Sequence, residues 1–210
     1  MNRIVENNQV TISGEIASGF NFSHETYGEK FYIVDVNVQR MSDASDIVPV
    51  TVSERLIDVS EDYTGRFVSV TGQLRSYNKQ YGEKKRLVLS VFAQEFDLLG
   101  EDVEINNDNH IFLVGYICKQ PIYRKTPLGR EIADVLLAVN RPYGKSDYIP
   151  CICWGRNARY AGNLKVGEHC SVTGRIQSRI YIKTLDDGST EERTAYEVSV
   201  NNMEVVEDAD

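Results

Sequence analysis

What the sequence lacks narrows it first. No run approaches the roughly 18 apolar residues that a membrane-spanning helix requires. The opening MNRIVENNQV holds no apolar core of signal-peptide length. Cysteine is scarce: Cys118, Cys151, Cys153 and Cys170 all lie in the second half, none in CxxC spacing. Cys151 and Cys153 could suggest zinc, but no second pair completes four ligands, so core thiols are expected. Without a secretion signal, the expectation is reduced thiols in a cytoplasmic protein. His110 and His169 lie on strand-like runs without a nucleophile constellation, and His24 sits in a turn. Acids such as Asp134 and Asp147 are dispersed and form no catalytic pair, and no glycine-rich loop cradles a phosphate. Neither an enzyme nor a cofactor is expected, and no bound metal.

What is present is β-patterned, charged and repeated. Two hundred and ten residues suit two domains of about 100 each. The net charge of −8 is unevenly placed. Residues 1–108 carry 10 Lys and Arg against 18 Asp and Glu, whereas residues 109–210 carry 13 against 13. The second half can therefore present a basic face on an acidic protein.

An ordered series of matches marks an internal repeat. Gly14 recurs as Gly115, Gly28 as Gly129, Arg40 as Arg141 and Arg55 as Arg156, each 101 residues on. Asp46 and Pro49 meet Asp147 and Pro150 at the same offset. After one extra residue Val70-Thr71-Gly72 matches Val172-Thr173-Gly174, and Ser90-Val91 matches Ser199-Val200 beyond a hairpin of different length. Two copies of one domain follow, 1–100 and 109–206, with an acidic, Asn-rich linker at 101–108 and a short acidic tail at 207–210.

Each copy reads as five strands by period-2 alternation and β-branched enrichment. In the first these are Gln9–Ala17, Glu29–Gln39, Ile47–Val52, Arg66–Tyr77 and Arg86–Phe96. In the second they are His110–Cys118, Arg130–Asn140, Asp147–Trp154, His169–Lys183 and Arg193–Val205. Ser53–Thr64 and Arg156–Lys165 break the pattern, and each could hold one short helix. The expected fold class is all-β: two tandem five-stranded OB-fold barrels, each with a short helix between its third and fourth strands. A small sandwich is the structural alternative.

Parity assigns the faces, because alternate strand residues point opposite ways. Ile149, Cys151 and Cys153 share one side of a strand whose other side carries Tyr148, Pro150, Ile152 and Trp154. Ile176, Ser178, Ile180 and Ile182 read as core, which turns Arg175, Gln177, Arg179, Tyr181 and Lys183 outward. The loop before Tyr148 adds Arg141, Tyr143 and Lys145. Aromatics interleaved with cations are what a protein needs to hold unstacked bases. Stacking on a base's π-face is indifferent to sequence and is worth about 1–3 kcal/mol per base. Each of these residues also has a plainer reading, as a half-buried strand aromatic or a solvated charge.

Residues 109–206 resemble the bacterial single-stranded DNA-binding protein family. The resemblance rests on NHIFLVG (109–115), QPIYRKTPLG (120–129), LLAVNR (136–141), CWGRNA (153–158) and VTGRIQSRIY (172–181). It implies an OB fold and roles in DNA replication, recombination or repair. It places stacking aromatics at Tyr143, Tyr148, Trp154 and Tyr181, and basic contacts at Arg124, Arg156 and Arg179. The first copy has Ser42, Ile47, Ser53 and Lys79 at the four stacking places. It reads as a degraded platform with a secondary site at Arg75, Tyr77, Lys79 and Tyr81. The resemblance also implies action by four OB folds together, hence a homodimer of this two-fold chain. The family's acidic tail with a Pro- and Phe-containing tip has no counterpart in MEVVEDAD, which puts recruitment of other replication proteins through that route in doubt. The alternative function is a primosomal-type OB-fold assembly protein with weak DNA contact.

Overall fold

The computed structural model describes residues 7–81, 84–100, 108–185 and 187–206, and among these it leaves aside the side chains of residues 79–81, 84 and 85. The linker segment 101–107 and the tail 207–210 lie outside the described residues. The first half forms β1 (Asn8–Ile16), β2 (Asn21–Thr26), β3 (Glu29–Gln39), β4 (Ser45–Ser53), β5 (Phe67–Tyr81) and β6 (Lys84–Leu98). The second forms β7 (Asn109–Ile117), β8 (Ile122–Lys125), β9 (Glu131–Asn140), β10 (Ser146–Trp154), α1 (Arg156–Ala161), β11 (His169–Thr184) and β12 (Thr190–Val205).

In each half five strands close on themselves. β1 pairs with both β3 and β5, while β4 joins β6 in parallel and β6 joins β5. β7, β9, β10, β12 and β11 repeat the same circuit. Closure forces backbones together at two seams per barrel, and the repeated glycines stand there. A Cβ on Gly14 would fall on the Asn37 carbonyl, and one on Gly115 on that of Ala138. Gly72 and Gly174 face the Phe92 and Ser199 carbonyls in the same way. Inside, alternate residues such as Val34, Val36 and Val38 of β3, and Ala133, Val135, Leu137 and Val139 of β9, are buried in a shared apolar core. Cys151, Cys153 and Cys170 belong to it. Burial pushes the Cys153 thiol up to about 12 and the Cys170 thiol up to about 11, so both stay protonated and unreactive at neutral pH.

The two all-β OB-fold barrels are those the repeat implies, with four local differences. Only the second barrel has the helix, α1; among the described residues 54–66 there are turns instead. In that segment Asp58 accepts hydrogen bonds from the Ser60 N–H and hydroxyl, and Asp62 from those of Thr64. Such local bonds compete with the helical ladder. Secondly, β2 and β8 are short added strands whose residues are all exposed, so they carried no alternation to read. Thirdly, Ile180 and Ile182 are 66% and 72% exposed rather than core, because the β11–β12 hairpin runs on past the barrel. Finally, the Ser90-Val91 match to Ser199-Val200 is out of register. Val50 faces Val91 and Cys151 faces Val198, so Val91 takes the place of Val198 and Phe92 that of Ser199. A slip of two preserves parity, and a two-residue match cannot detect it.

The barrels join edge to edge. β1 pairs antiparallel with β7, uniting all twelve strands in one sheet. Val10 faces Ile111, its own repeat equivalent, so a local twofold passes between them. Asn8 exchanges hydrogen bonds with the Leu74 backbone, and Asn109 repeats this with Ile176. Further out, Arg40 clamps Asp46 with two hydrogen bonds, and Asp46 accepts from the Ser178 N–H and hydroxyl of the other barrel. The mirrored set has Arg141 clamping Asp147, which accepts from the Ser76 N–H. Both carboxylates are fully buried. For Asp46 burial alone would raise the pKa, but hydrogen bonds from Arg40 and Ser178 and the Arg40 charge hold it below the usual carboxylate range.

Candidate nucleic-acid interface

On β10, Tyr148 and Trp154 stand on the outer face, 47% and 38% exposed, with core residues Ile149, Cys151 and Cys153 between them. Pro150 and Ile152 lie between the two aromatics on the same side. Beyond the intervening β12, β11 carries Arg175, Gln177, Arg179, Tyr181 and Lys183 in alternation on its outer side, with Gln177 buried there by its hydrogen bond to Glu197. The Arg179 guanidinium carbon sits 5.6 Å from the Tyr181 ring centroid, a cation–π geometry that stiffens both side chains. Tyr148, Trp154 and Tyr181 thus all lie on the outer surface of the barrel, none of them needed to fill the core.

Tyr143 does not join them. It is the middle residue of a single 3-10 turn, Pro142–Gly144, with a positive φ of 66° at Tyr143 itself, and its side chain is wholly exposed. With Lys145 it borders a groove whose floor belongs to the first barrel. Arg141 is turned into the junction: it is half-buried in the interdomain clamp, its charge engaged by Asp147.

The remaining cations divide by partner. Arg124 donates to Asp134 at 2.9 Å, and Arg179 to Glu197 at 3.3 Å. Lys183 stands opposite Glu191 in the ladder. Arg175 is half-buried with its Nη1 lacking a hydrogen-bond partner among the described residues. Arg156, at the start of α1, and Lys145 are exposed and make no ion pair among the described residues. The basic face that the charge split allowed is therefore largely a mosaic of ion pairs. The Arg124–Asp134 pair is exposed on both sides, so it is weak and opens readily to a competing phosphate, whereas Glu197 opposite Arg179 is buried.

On the first barrel, Arg75 is drawn into the clamp, its Nη1 3.2 Å from Asp147. Tyr77 is 39% exposed on the groove side. The side chains of Lys79 and Tyr81 lie outside the described residues. Comparison of the copies at four places missed three rings. His24 stacks on Phe31 with centroids 5.0 Å apart, and Phe31 lies 5.5 Å from Phe92. The legible signal was parity, since Phe31 alternates with core residues Val34 and Val36 and belongs outside. Phe92 was hidden by the slipped match.

Comparison with known proteins bears on the second half of the chain and on the fold. Residues 108–206 match the model of the "Single-strand binding protein family". Over 80 residues, 35% of this chain, the sequence is 40% identical to a "Single-stranded DNA-binding protein" of Halalkalibacterium halodurans, covering 48% of that protein. The same identity and length relate it to "Single-stranded DNA-binding protein A" of Bacillus subtilis, covering 46% of that protein. The chain spans about half the length of the curated relatives it matches. Among solved structures, the wild-type single-stranded DNA binding protein from Thermus aquaticus superposes with a TM-score of 0.78 at 19% identity. That match covers 97% of this chain and 94% of the other, so the shared fold includes the tandem arrangement.

Proposed function

We propose, for a chain whose residues 108–206 match the single-strand binding protein family, that its second barrel holds single-stranded DNA with little regard to sequence. The observation that carries this reading is the outward placement of Tyr148, Trp154 and Tyr181 on one barrel, with Arg179 against Tyr181. Duplex DNA hides its π-faces, so a stacking platform selects against it. Bases stack on the three rings while Arg156, Lys183 and the opened ends of Arg124 and Arg179 meet phosphates. Phosphate contact releases counterions, so affinity falls as salt rises. Action in replication, recombination or repair goes with this reading, as does assembly of two chains to bring four barrels together.

A second reading is an assembly protein with weak DNA contact. The pairing of Arg124 with Asp134 and of Arg179 with Glu197 favours it, because these cations are already partly neutralised. The single tryptophan separates the two. Oligo-dT should quench Trp154 fluorescence at low salt with submicromolar midpoint under the first reading. Unchanged fluorescence at micromolar protein and DNA removes it. Sedimentation as a monomer at micromolar concentration removes the paired assembly.

A further inference from the structure

The first barrel has not lost its aromatic face; it has moved it to other strands. In the second barrel Trp154 of β10 stands in register with Ile132 of β9. The equivalent pair in the first is Ser53 of β4 with Phe31 of β3. The ring has crossed the ladder and kept its place on the face. Phe92 of β6 is in register with Thr51 of β4. Small Ser53 and Thr51 on the strand between leave room for Phe31 and Phe92 to meet, and His24 of β2 extends the row. Three rings thus run from β2 to β6 without any core role.

This row borders a groove of about 530 Å³ between the barrels, within the range of pockets that take small molecules. His24, Phe92 and Tyr77 of the first barrel line it, and Tyr143 and Lys145 of the second stand over it. Its charged lining residues are Arg75, Arg141 and Lys145, all cationic, although the first half holds all the protein's net negative charge. On the floor the Thr51 and Ser90 hydroxyls are 3.0 Å apart, one donating to the other, and leave neutral polar edges. The overhanging loop is anchored: Arg141 is fixed on Asp147 and its N–H donates to the Lys145 carbonyl. That anchor holds Tyr143 in its left-handed backbone conformation, a strain that persists only where the surroundings impose it.

We infer that this composite groove is a second base-stacking site, in which unstacked bases of a single strand lie against Phe92 and His24 beneath Tyr143, with Lys145 on a phosphate. The inference rests on the single-strand reading of the second barrel and extends it across the junction. Tyr143 then serves the neighbouring barrel rather than its own.

The test uses the full chain and oligo-dT of roughly 35 nucleotides, longer than one OB fold covers. In a Trp154→Phe background, Phe92→Trp places the only tryptophan in the groove. We expect oligo-dT to quench it, and Tyr143→Ala to raise the midpoint of that quenching about tenfold. If Trp154 of the native chain is quenched while the Phe92→Trp reporter is not, the groove is not a base site and the reading of the second barrel survives. If neither tryptophan responds, that reading falls and takes the inference with it. Should the reporter chain not fold, His24→Ala and Tyr143→Ala alter exposed positions and serve instead. Each is expected to weaken binding of the oligonucleotide at least fivefold, read by polarisation of a labelled strand. Unchanged affinity in both overturns the inference.

Discussion

The two barrels can be laid on one another pair by pair. Gly14 falls on Gly115, Asp46 on Asp147, Ser76 on Ser178 and Val91 on Val198, and the same bonds recur around each. Where they part is the outer face. The second keeps Tyr148 and Trp154 on β10 and Tyr181 on β11, whereas the first carries Phe31 on β3 and Phe92 on β6, the counterparts of β9 and β12. A frame closed by glycines and apolar alternation tolerates such relocation, because exposed rings contribute little to the core. The lesson is that an aromatic face belongs to the surface of a barrel, not to a set of aligned positions.

The comparison can be broken most forcefully at the clamps. Among the described residues Asp147 is held by two arginines, Arg141 and Arg75, but Asp46 by one, Arg40, beside its bonds from Ser178, since Gln177 occupies the place of Arg75 and pairs with Glu197 instead. Removing one partner of a buried pair leaves uncompensated charge and costs about 3–5 kcal/mol. Asp147→Asn should therefore lower the denaturant midpoint more than Asp46→Asn in equilibrium unfolding. Equal losses would show that Arg75 adds nothing to the clamp.

Next in size is the stacking asymmetry. Loss of one stacked base amounts to about 1–3 kcal/mol, so Trp154→Ala and Tyr181→Ala should each weaken oligo-dT binding by roughly 5- to 150-fold. Ser53→Ala, at the equivalent of Trp154, should leave it within about twofold. Polarisation titrations of the three variants decide this, and a loss at Ser53 matching that at Trp154 would erase the distinction.

A smaller effect follows from protonation. The folded Asp46 pKa is below its unfolded value of about 3.9. Its contribution is therefore present above about pH 3.9 and is lost as pH falls through the lower folded value. Urea midpoints measured from pH 6 down to pH 3 should fall less steeply at the acid end for Asp46→Asn than for the native chain. Parallel curves would count against the clamp.

The smallest effect distinguishes free from paired cations. Each phosphate contact on a single strand contributes about −0.7 to the slope of log affinity against log salt. Arg156→Ala should reduce the slope magnitude by roughly that amount, and Arg124→Ala by less, because Arg124 leaves Asp134 to reach the strand. Equal changes would mean that the Arg124–Asp134 pair is open in solution.

Much of this was legible in one dimension because it depends on local periodicity. The constant offset gave two domains, alternation gave barrels, and parity separated Tyr148 and Trp154 from Cys151 and Cys153 on the same strand. The helix of the second copy was legible as a break in alternation, but its absence from the first was not. There Asp58 and Asp62 hold turns through bonds that composition alone does not reveal.

The rest depended on which strands meet. Arg141 and Tyr143 look alike in sequence, two loop residues beside a strand, yet one is locked on Asp147 and the other overhangs the neighbouring barrel. Ile180 and Ile182 have core parity, but the barrel ends before them. Phe31 and Phe92 are 61 residues apart and become neighbours only when β4 lies between their strands. Periodicity is set by each residue's own backbone geometry and so is written along the chain. Partnership across a ladder, a seam or a domain junction is set by closure, and closure exists only in the folded molecule.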